Sequence, residues 1–390
     1  MPNLATKKKC IGCTACESVC PKKCIKMKKD CYGFAYPEIS QQISCAECGA
    51  CEKVCPVLKD VAIKNMLPEV YAALSLDEKV RMESSSGGIF TELARRIIYQ
   101  NGVVYGAAYN ECFEVYHYCV DGKEDLHKIR GAKYAESNLG NSFIDILERL
   151  QQGQLVLFSG TPCQVAGLKS FVKKDFANLF CIDFVCHGIP SPMAWKSYVE
   201  YRAKEDTDGE FPYHINMRSK NTGWSKYQYS NVFEYKSGKQ HSVLSSQSLF
   251  MKLFVENYIS RPSCEVCEFK GYNRISDITL GDFWGIWDIE PEMDDNKGTS
   301  VVLVHSDKGR LLWKEIDSQI RCKEVSLKQA SQQNLSMLMP SESKVNRNFV
   351  LEKIKKGYIE SCVELFDEPK TSIFTKIKES AKQLLRRIKM

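Results

Sequence analysis

The chain has 390 residues, of which 44% are hydrophobic and 26% charged, the balance of a globular protein with a sizeable core. Its formal net charge of +6 is too mild and too dispersed to argue for nucleic acid, and no such partner is expected. No apolar run is long enough to cross a bilayer, and Met1 to Lys9 are too polar for a signal peptide, so the expected compartment is the reducing cytoplasm. Disulfides rarely persist there, so the 19 cysteines read largely as metal ligands or redox groups.

In chain order, residues 1–62 form a small Cys-rich module with an approximate internal repeat, and 61–70 read as a linker ending in Leu67-Pro68-Glu69. A mixed α/β part follows over 70–150. Residues 70–75 predict a strand, Ser84-Ser85-Ser86-Gly87-Gly88 a loop, and 89–100 a helix with Phe90, Leu93, Ala94, Ile97 and Ile98 on one face. Residues 102–109 read as a strand and 144–150 as a helix. A second part spans 151–340. Residues 155–159 predict a strand, Gly160-Thr161-Pro162-Cys163 a turn, 164–172 a helix, and 179–185 a strand closed by a loop over 186–190. That order is a βαβ pattern and predicts parallel pairing. Strands over 227–235 and 300–305 and a helix over 311–316 complete it. The expected fold class is α+β, a two-cluster ferredoxin module fused to a mixed α/β body. Residues 370–390 read as a basic amphipathic helix with Ile373, Phe374, Ile377, Ala381, Leu384, Leu385 and Ile388 on one face. Such a helix suits weak association with the inner face of an anionic membrane, or docking on the protein's own body.

Cys10, Cys13, Cys16 and Cys20 form C-x2-C-x2-C-x3-C, followed by Pro21. Cys45, Cys48, Cys51 and Cys55 repeat it, followed by Pro56. This is the bacterial run for two 4Fe–4S clusters, in which the fourth cysteine ligates the other cluster. Cluster I is then expected on Cys10, Cys13, Cys16 and Cys55, and cluster II on Cys45, Cys48, Cys51 and Cys20. A zinc ribbon, the competing reading, usually separates its pairs by longer gaps. Cys24, Cys31, Cys112, Cys119, Cys181, Cys322 and Cys362 are scattered and read as small buried hydrophobes. Lys7, Lys8, Lys9, Lys22, Lys23, Lys26, Lys28 and Lys29 make a basic patch around the module. It would steer an acidic electron carrier such as a ferredoxin or flavodoxin, or be a solvated face.

Cys163 and Cys186 each follow a predicted apolar strand, so parallel pairing would place both at the carboxyl edge of one sheet, where ligands sit in open α/β sheets. Cys264-x2-Cys267 adds two thiolates, enough for a third cluster. The alternative is two structural cysteines and a separate pair. Clusters pass single electrons, and a flavin is the usual converter to two-electron chemistry. No G-x-G-x-x-G follows a strand and no Walker A motif is present. Ser84–Gly88 at a helix start suits a pyrophosphate, or is only a cap. Arg130-Gly131-Ala132-Lys133-Tyr134 sets two cations and an aromatic beside a glycine, suited to phosphate or reduced flavin, or is a solvated face.

Taken together, the Cys-rich module, SSSGG at 84–88, RGAKY at 130–134, FSGTPCQVAGLK at 158–169, DFVCHGIPSP at 183–192, CEVC at 264–267 and DITLGDFWG at 277–285 resemble the coenzyme F420 hydrogenase/dehydrogenase beta-subunit family. The resemblance runs in order from about Cys10 to about His305. It implies an FAD-dependent iron–sulfur oxidoreductase with a third cluster on Cys163, Cys186, Cys264 and Cys267. It also implies flavin contacts from Ser85, Ser86, Gly87, Gly88, Arg130, Lys133 and Tyr134. His187 would move a proton near the flavin or order its loop, and Asp277 and Asp282 would order the loop near the cluster. The family pattern expected at 130–134 is RGSKY; Ala132 lacks that hydroxyl and removes one contact to phosphate. Reduced F420 joins the candidate electron carriers. The resemblance also implies a place in surface-polysaccharide biosynthesis, with the small-molecule substrate unassigned. A non-catalytic electron-transfer subunit and a redox scaffold of a larger complex are the rival readings.

Overall fold

In the computed structural model, which describes residues 2–59, 67–225, 228–340 and 342–366, each half of the Cys-rich repeat turns on left-handed backbone. Thr14 (φ 63°) precedes the short helix Ala15–Ser18, and Gly49 (φ 66°) precedes Ala50–Val54. Between them β1 (Ile25–Lys29) and β2 (Ala35–Ile39) pair antiparallel. Their turn is fixed by the Asp30 carboxylate, which accepts from Tyr32 N at 3.0 Å and Phe34 N at 3.1 Å. The amphipathic helix expected over 370–390, and most of the expected linker, lie outside the described residues.

The body is built on β3 (Glu69–Ser75), β4 (Val103–Tyr109), β5 (Val115–Val120), β6 (Val156–Gly160) and β7 (Leu179–Phe184). A separate antiparallel sheet follows, of β8 (His214–Ser219), β9 (Ser230–Glu234) and β10 (Gln240–Leu244). Then β11 (Ile278–Asp282), β12 (Ser300–Val304) and β13 (Ile320–Glu324) return to the first sheet, whose order is β13-β3-β12-β11-β7-β6-β4-β5. Its centre, β4-β6-β7-β11, is parallel, and the flanking pairs are antiparallel. Strands covered on both faces read as continuous apolar runs. Accordingly Val156, Leu157 and Phe158 of β6 and every residue of β12 are buried.

One face of the sheet packs against the helix Ile89–Tyr99, whose Ile89, Leu93, Ala94 and Ile97 are buried with Val104, Leu157 and Val302. Phe90, placed on that face by periodicity, is half-buried. The other face packs against the helices Ser142–Gln151 and Pro162–Val172, where Phe143, Phe158, Phe171, Val165 and Leu168 form one core with Cys13, Ala15 and Val54 of the Cys-rich module. Each buried Phe, Leu or Val of this core contributes about 1.5–3 kcal/mol, so the module is seated on the body by hydrophobic packing.

Three differences from the sequence reading have local causes. The helix expected from 164 begins at Pro162, because Thr161 and Gln164 form a capping box and proline suits the first turn. The helix expected from 311 begins at Asp307, where Ser306 Oγ accepts from Gly309 N at 3.0 Å. Asp277 and Asp282 stand at the two ends of β11 rather than together on one loop, so they lie at opposite edges of the sheet. Asp277 holds Cys181 N and Ser306 Oγ at the amino edge, far from the loop it was expected to order. Of the scattered cysteines, Cys24, Cys181 and Cys362 are buried as expected of small hydrophobes, whereas Cys31 and Cys112 are exposed.

Candidate functional site

Within the Cys-rich module, Cys10, Cys13, Cys16 and Cys55 lie in one another's electrostatic field. Burial first, then the neighbouring thiols, pushes the Cys13 thiol up to about 12 and Cys16 higher still. Cys20, Cys45, Cys48 and Cys51 line a second, small cavity with Lys22 at its rim, and Cys48 is exposed. That cavity holds a fifth thiol: Cys24 Sγ stands 3.4 Å from Cys20 Sγ. Spacing alone could not place Cys24 there, because it falls outside the repeat.

A third group of cysteines assembles in the body. β6 and β7 are parallel with Gly160 opposite Asp183, so Cys163, in the first turn of the helix Pro162–Val172, and Cys186, two residues past β7, share the carboxyl edge. Cys264 closes the turn Pro262–Cys264, and Cys267 follows. Burial raises the Cys163 thiol well above its ordinary value, and the charges of Cys267, Cys186 and Cys264 raise it further. Burial lifts Cys186 to about 11 and Cys264 to about 12. Ile189 N donates to Cys264 Sγ at 3.3 Å, and the Cys163 Sγ lies 3.1 Å from Thr161 Oγ1. Among the described residues, no group of three or more His, Cys, Asp or Glu closes on a single metal ion. Burial thus favours the neutral thiol at Cys163, Cys186 and Cys264, and a bound iron–sulfur cluster would deprotonate them.

These cysteines end one wall of a cavity of about 1090 Å³, which Ser84, Ser85, Ser86, Gly88, Arg130, Lys133, Tyr134, Cys163, Cys186 and His187 help to line. Gly87 turns away from it. Its N–H donates to Ser300 Oγ at 2.9 Å, and a Cβ there would come 2.8 Å from Ser300 N, so this glycine lets the loop press against β12. Gly88, at φ 88°, starts the helix Ile89–Tyr99 with no side-chain cap. Ser85 Oγ is buried without a hydrogen-bond partner among the described residues, as is Arg218 Nε. Orphaned buried polar atoms facing a cavity are a site's mark of a missing partner.

Arg218, from β8, is the hub of the cavity wall. Its guanidinium forks onto the Asp282 carboxylate at 2.8 and 3.0 Å, donates to Ser85 O at 3.1 Å and approaches Tyr134 OH at 3.4 Å. It also lies 4.1 Å from the centre of the Tyr229 ring, a cation–π contact. Lys220 donates to Ser86 O at 2.6 Å and Lys297 O at 2.7 Å, and to Arg81 O, which fixes the Ser84–Gly88 loop from below. Arg130 pairs with Glu83 at 2.9 Å. Lys133 donates to Arg130 O at 2.6 Å, and burial, helped by the Arg130 charge, pushes its amine down to about 7. His187 lies edge-on to Phe254 at 5.1 Å, with Nδ1 3.1 Å from Ser336 Oγ. His117, stacked on Phe158, is held between Ser137 Oγ at 3.0 Å and Ser159 O at 3.1 Å, and burial pushes it down to about 4. Arg218, Lys220 and His117 carry no sequence motif.

Residues 153–330 match the model of a family described as the C terminus of the coenzyme F420 hydrogenase/dehydrogenase beta subunit, and residues 9–58 match that of a 4Fe-4S dicluster domain. Curated proteins give no match. Among solved structures, a chain of the F420-reducing NiFe hydrogenase complex from Methanosarcina barkeri is similar at 17% identity with a TM-score of 0.46, covering 78% of this chain and 94% of that one. Residues 153–330 are thus similar to the C terminus of the coenzyme F420 hydrogenase/dehydrogenase beta subunit, and the segment ahead of them matches a 4Fe-4S dicluster domain.

Proposed function

We propose that the chain is an iron–sulfur flavoprotein oxidoreductase in which single electrons entering at the dicluster domain reach a cofactor cavity in the body. The observation that carries this reading is a juxtaposition. Gly167 lies one helical turn beyond Cys163, and a Cβ there would meet Cys13 Cβ at 2.5 Å and Sγ at 2.8 Å. The wall that carries Cys163 thus touches the loop that carries Cys13, and Cys163 opens onto the cavity.

In this reading Cys10, Cys13, Cys16 and Cys55 hold cluster I, Cys20, Cys45, Cys48 and Cys51 hold cluster II, and Cys163, Cys186, Cys264 and Cys267 hold a third. The cavity, at about 1090 Å³, is slightly larger than ordinary ligand pockets, with room for FAD and a substrate. Bound FAD would supply the exchange between one-electron and hydride chemistry. Ser85 Oγ and the N–H at Gly88 present donors to a pyrophosphate, whereas the Ser86 hydroxyl, expected to join them, donates to Thr299 O at 3.1 Å. Lys133 and Arg130 supply positive charge, and Tyr134, braced on Phe254 at 5.2 Å, a flat apolar face. Gly87 packs the loop rather than touching the cofactor. His187 stands beside Cys186 on the cavity wall, where it orders the Ser336 segment and can hold a proton. The polysaccharide-related substrate, and the choice among ferredoxin, flavodoxin and reduced F420 as carrier, rest on resemblance alone.

Anaerobic purification followed by iron, sulfide and flavin determination tests the reading. About twelve irons and one FAD per chain are expected, and Cys163→Ser with Cys267→Ser should lower iron towards about eight. About eight irons in the unsubstituted protein, with no flavin retained after incubation with FAD, would leave an electron-transfer subunit.

A further inference from the structure

Arg261 belongs to the body, is 1% exposed, and yet serves the dicluster domain. Its Nε donates to Cys10 O at 2.8 Å, and its Nη2 donates to Ala35 O at 2.8 Å and stands 3.7 Å from Cys10 Sγ. The guanidinium lies 4.3 Å from the centre of the Tyr36 ring. Gly12, at φ +69°, makes room: a Cβ there would come 2.9 Å from Nη1. Nη1 is paired with the carboxylate of Glu136, whose other oxygen accepts from Ala35 N at 2.9 Å. The same two residues reach the cavity side. Arg261 N donates to Ile189 O at 2.8 Å, three residues before Cys264, and Glu136 N donates to Pro190 O at 3.2 Å, two residues after Tyr134.

A buried ion pair is a weak stabiliser by itself, and a latch between two parts of the chain needs no charge beside a cluster ligand. The asymmetry of this pair is what matters. The cation reaches Cys10 Sγ through Nη2, whereas the Glu136 carboxylate is taken up by Arg261 Nη1 and Ala35 N. Reduction adds one negative charge to a cluster, and potentials respond to net charge and to N–H···S contacts at the ligands. In a low-dielectric site the nearer charge dominates.

We propose that Arg261 and Glu136 are positioning residues that set the reduction potential of cluster I with opposite sign: Arg261 raises it and Glu136 lowers it. This rests on the Cys10, Cys13, Cys16 and Cys55 ligand set and on nothing at the third cluster or the flavin. The couple concerned is the one-electron couple of that cluster, with dithionite as reductant in the test and the electron held on the cluster.

The experiment is an EPR-monitored redox titration of the full-length protein, reconstituted anaerobically with iron and sulfide, alongside R261Q, R261K and E136Q. One 4Fe–4S component should move to more negative potential in R261Q and to more positive potential in E136Q, and should stay near its original value in R261K. The other components should not move. No shift in R261Q and E136Q, or shifts of the same sign, would overturn the proposal and leave a latch. If R261Q loses its iron, E136Q decides: an upward shift supports the proposal, and any other result overturns it. Failure of the three-cluster reading appears separately, as iron near eight in the unsubstituted protein, with the cluster I component still readable.

Discussion

Lys133 is held among the backbone carbonyls of Lys128 and Arg130, and its amine sits near a pKa of about 7. If it faces the phosphates of a bound flavin, binding must raise that pKa. Flavin affinity is then full below pH 7 and falls as pH rises from about 7 towards the pKa of the bound form. Fluorescence titrations of FAD between pH 6 and 9 should show that decline, and Lys133→Met should abolish it; an unchanged slope in the variant would place Lys133 off the flavin. Gly167 makes a steric demand at this scale that bears on the cysteines. Gly167→Ala drives a methyl into Cys13, which costs about 1–3 kcal/mol as overpacking. A lower thermal midpoint and reduced iron are expected, and a variant equal to the parent in both would unseat the proposed contact. Cys10 and Cys163 are legible in the sequence because their neighbours stand at fixed short spacings. Arg218 and Arg261 are not, since Ser85 lies 133 residues from one and Cys10 lies 251 residues from the other. Only folding brings those partners together.

At the level of elements, the βαβ unit around Cys163 is legible because both apolar strands, β6 and β7, end in turn residues before a cysteine. The three-stranded sheet β8–β10 is less so. The pairing of β8 with β9 slips between Asn216 and Ser219, and a register break of this kind leaves no simple alternation in the sequence. The helix Pro162–Val172 depends on its start. Thr161 Oγ1 accepts from Gln164 N at 3.3 Å, and Gln164 Oε1 accepts from Thr161 N at 3.0 Å. Thr161→Ala should cost about 1 kcal/mol and let the first turn, with Cys163, fray. A guanidinium denaturation curve of the iron-free protein would show the loss, and cluster content would report on Cys163. Thr161→Ser, which keeps the cap, should behave as the parent.

Across the whole molecule, the second cysteine set reaches the surface at Cys48, which shares a small cavity with Lys22, while Cys13 of the first set packs into the core of the body. In the proposed function, electrons would then have an outward door and an inward one. Lys26, Lys28 and Lys29 already hold Glu17, Glu38 and Glu114 at 3.4, 2.7 and 3.2 Å, so steering of an acidic carrier would fall on Lys22 and Lys23 together with the exposed Lys7, Lys8 and Lys9. Reduction by such a carrier should slow as ionic strength rises from about 0.01 to 0.15 M, and Lys22→Glu should flatten that dependence. A rate indifferent to salt in both proteins would mark the lysines as a solvated face.

The position of β3 has a consequence for how the chain is made. Although it is the first strand of the large sheet to be synthesised, it lies between β12 and β13, so its two neighbours arrive more than half a chain later. Until residue 324 has left the ribosome, β3 lacks at least one of its two partners, and until β12 emerges β11 presents a bare edge. Long-range pairing of this kind is slow, and an open apolar edge invites aggregation. Fragments that stop short of β12 should accumulate as insoluble material, whereas the two strands of the Cys-rich module, adjacent in sequence, can pair while the rest is still being translated.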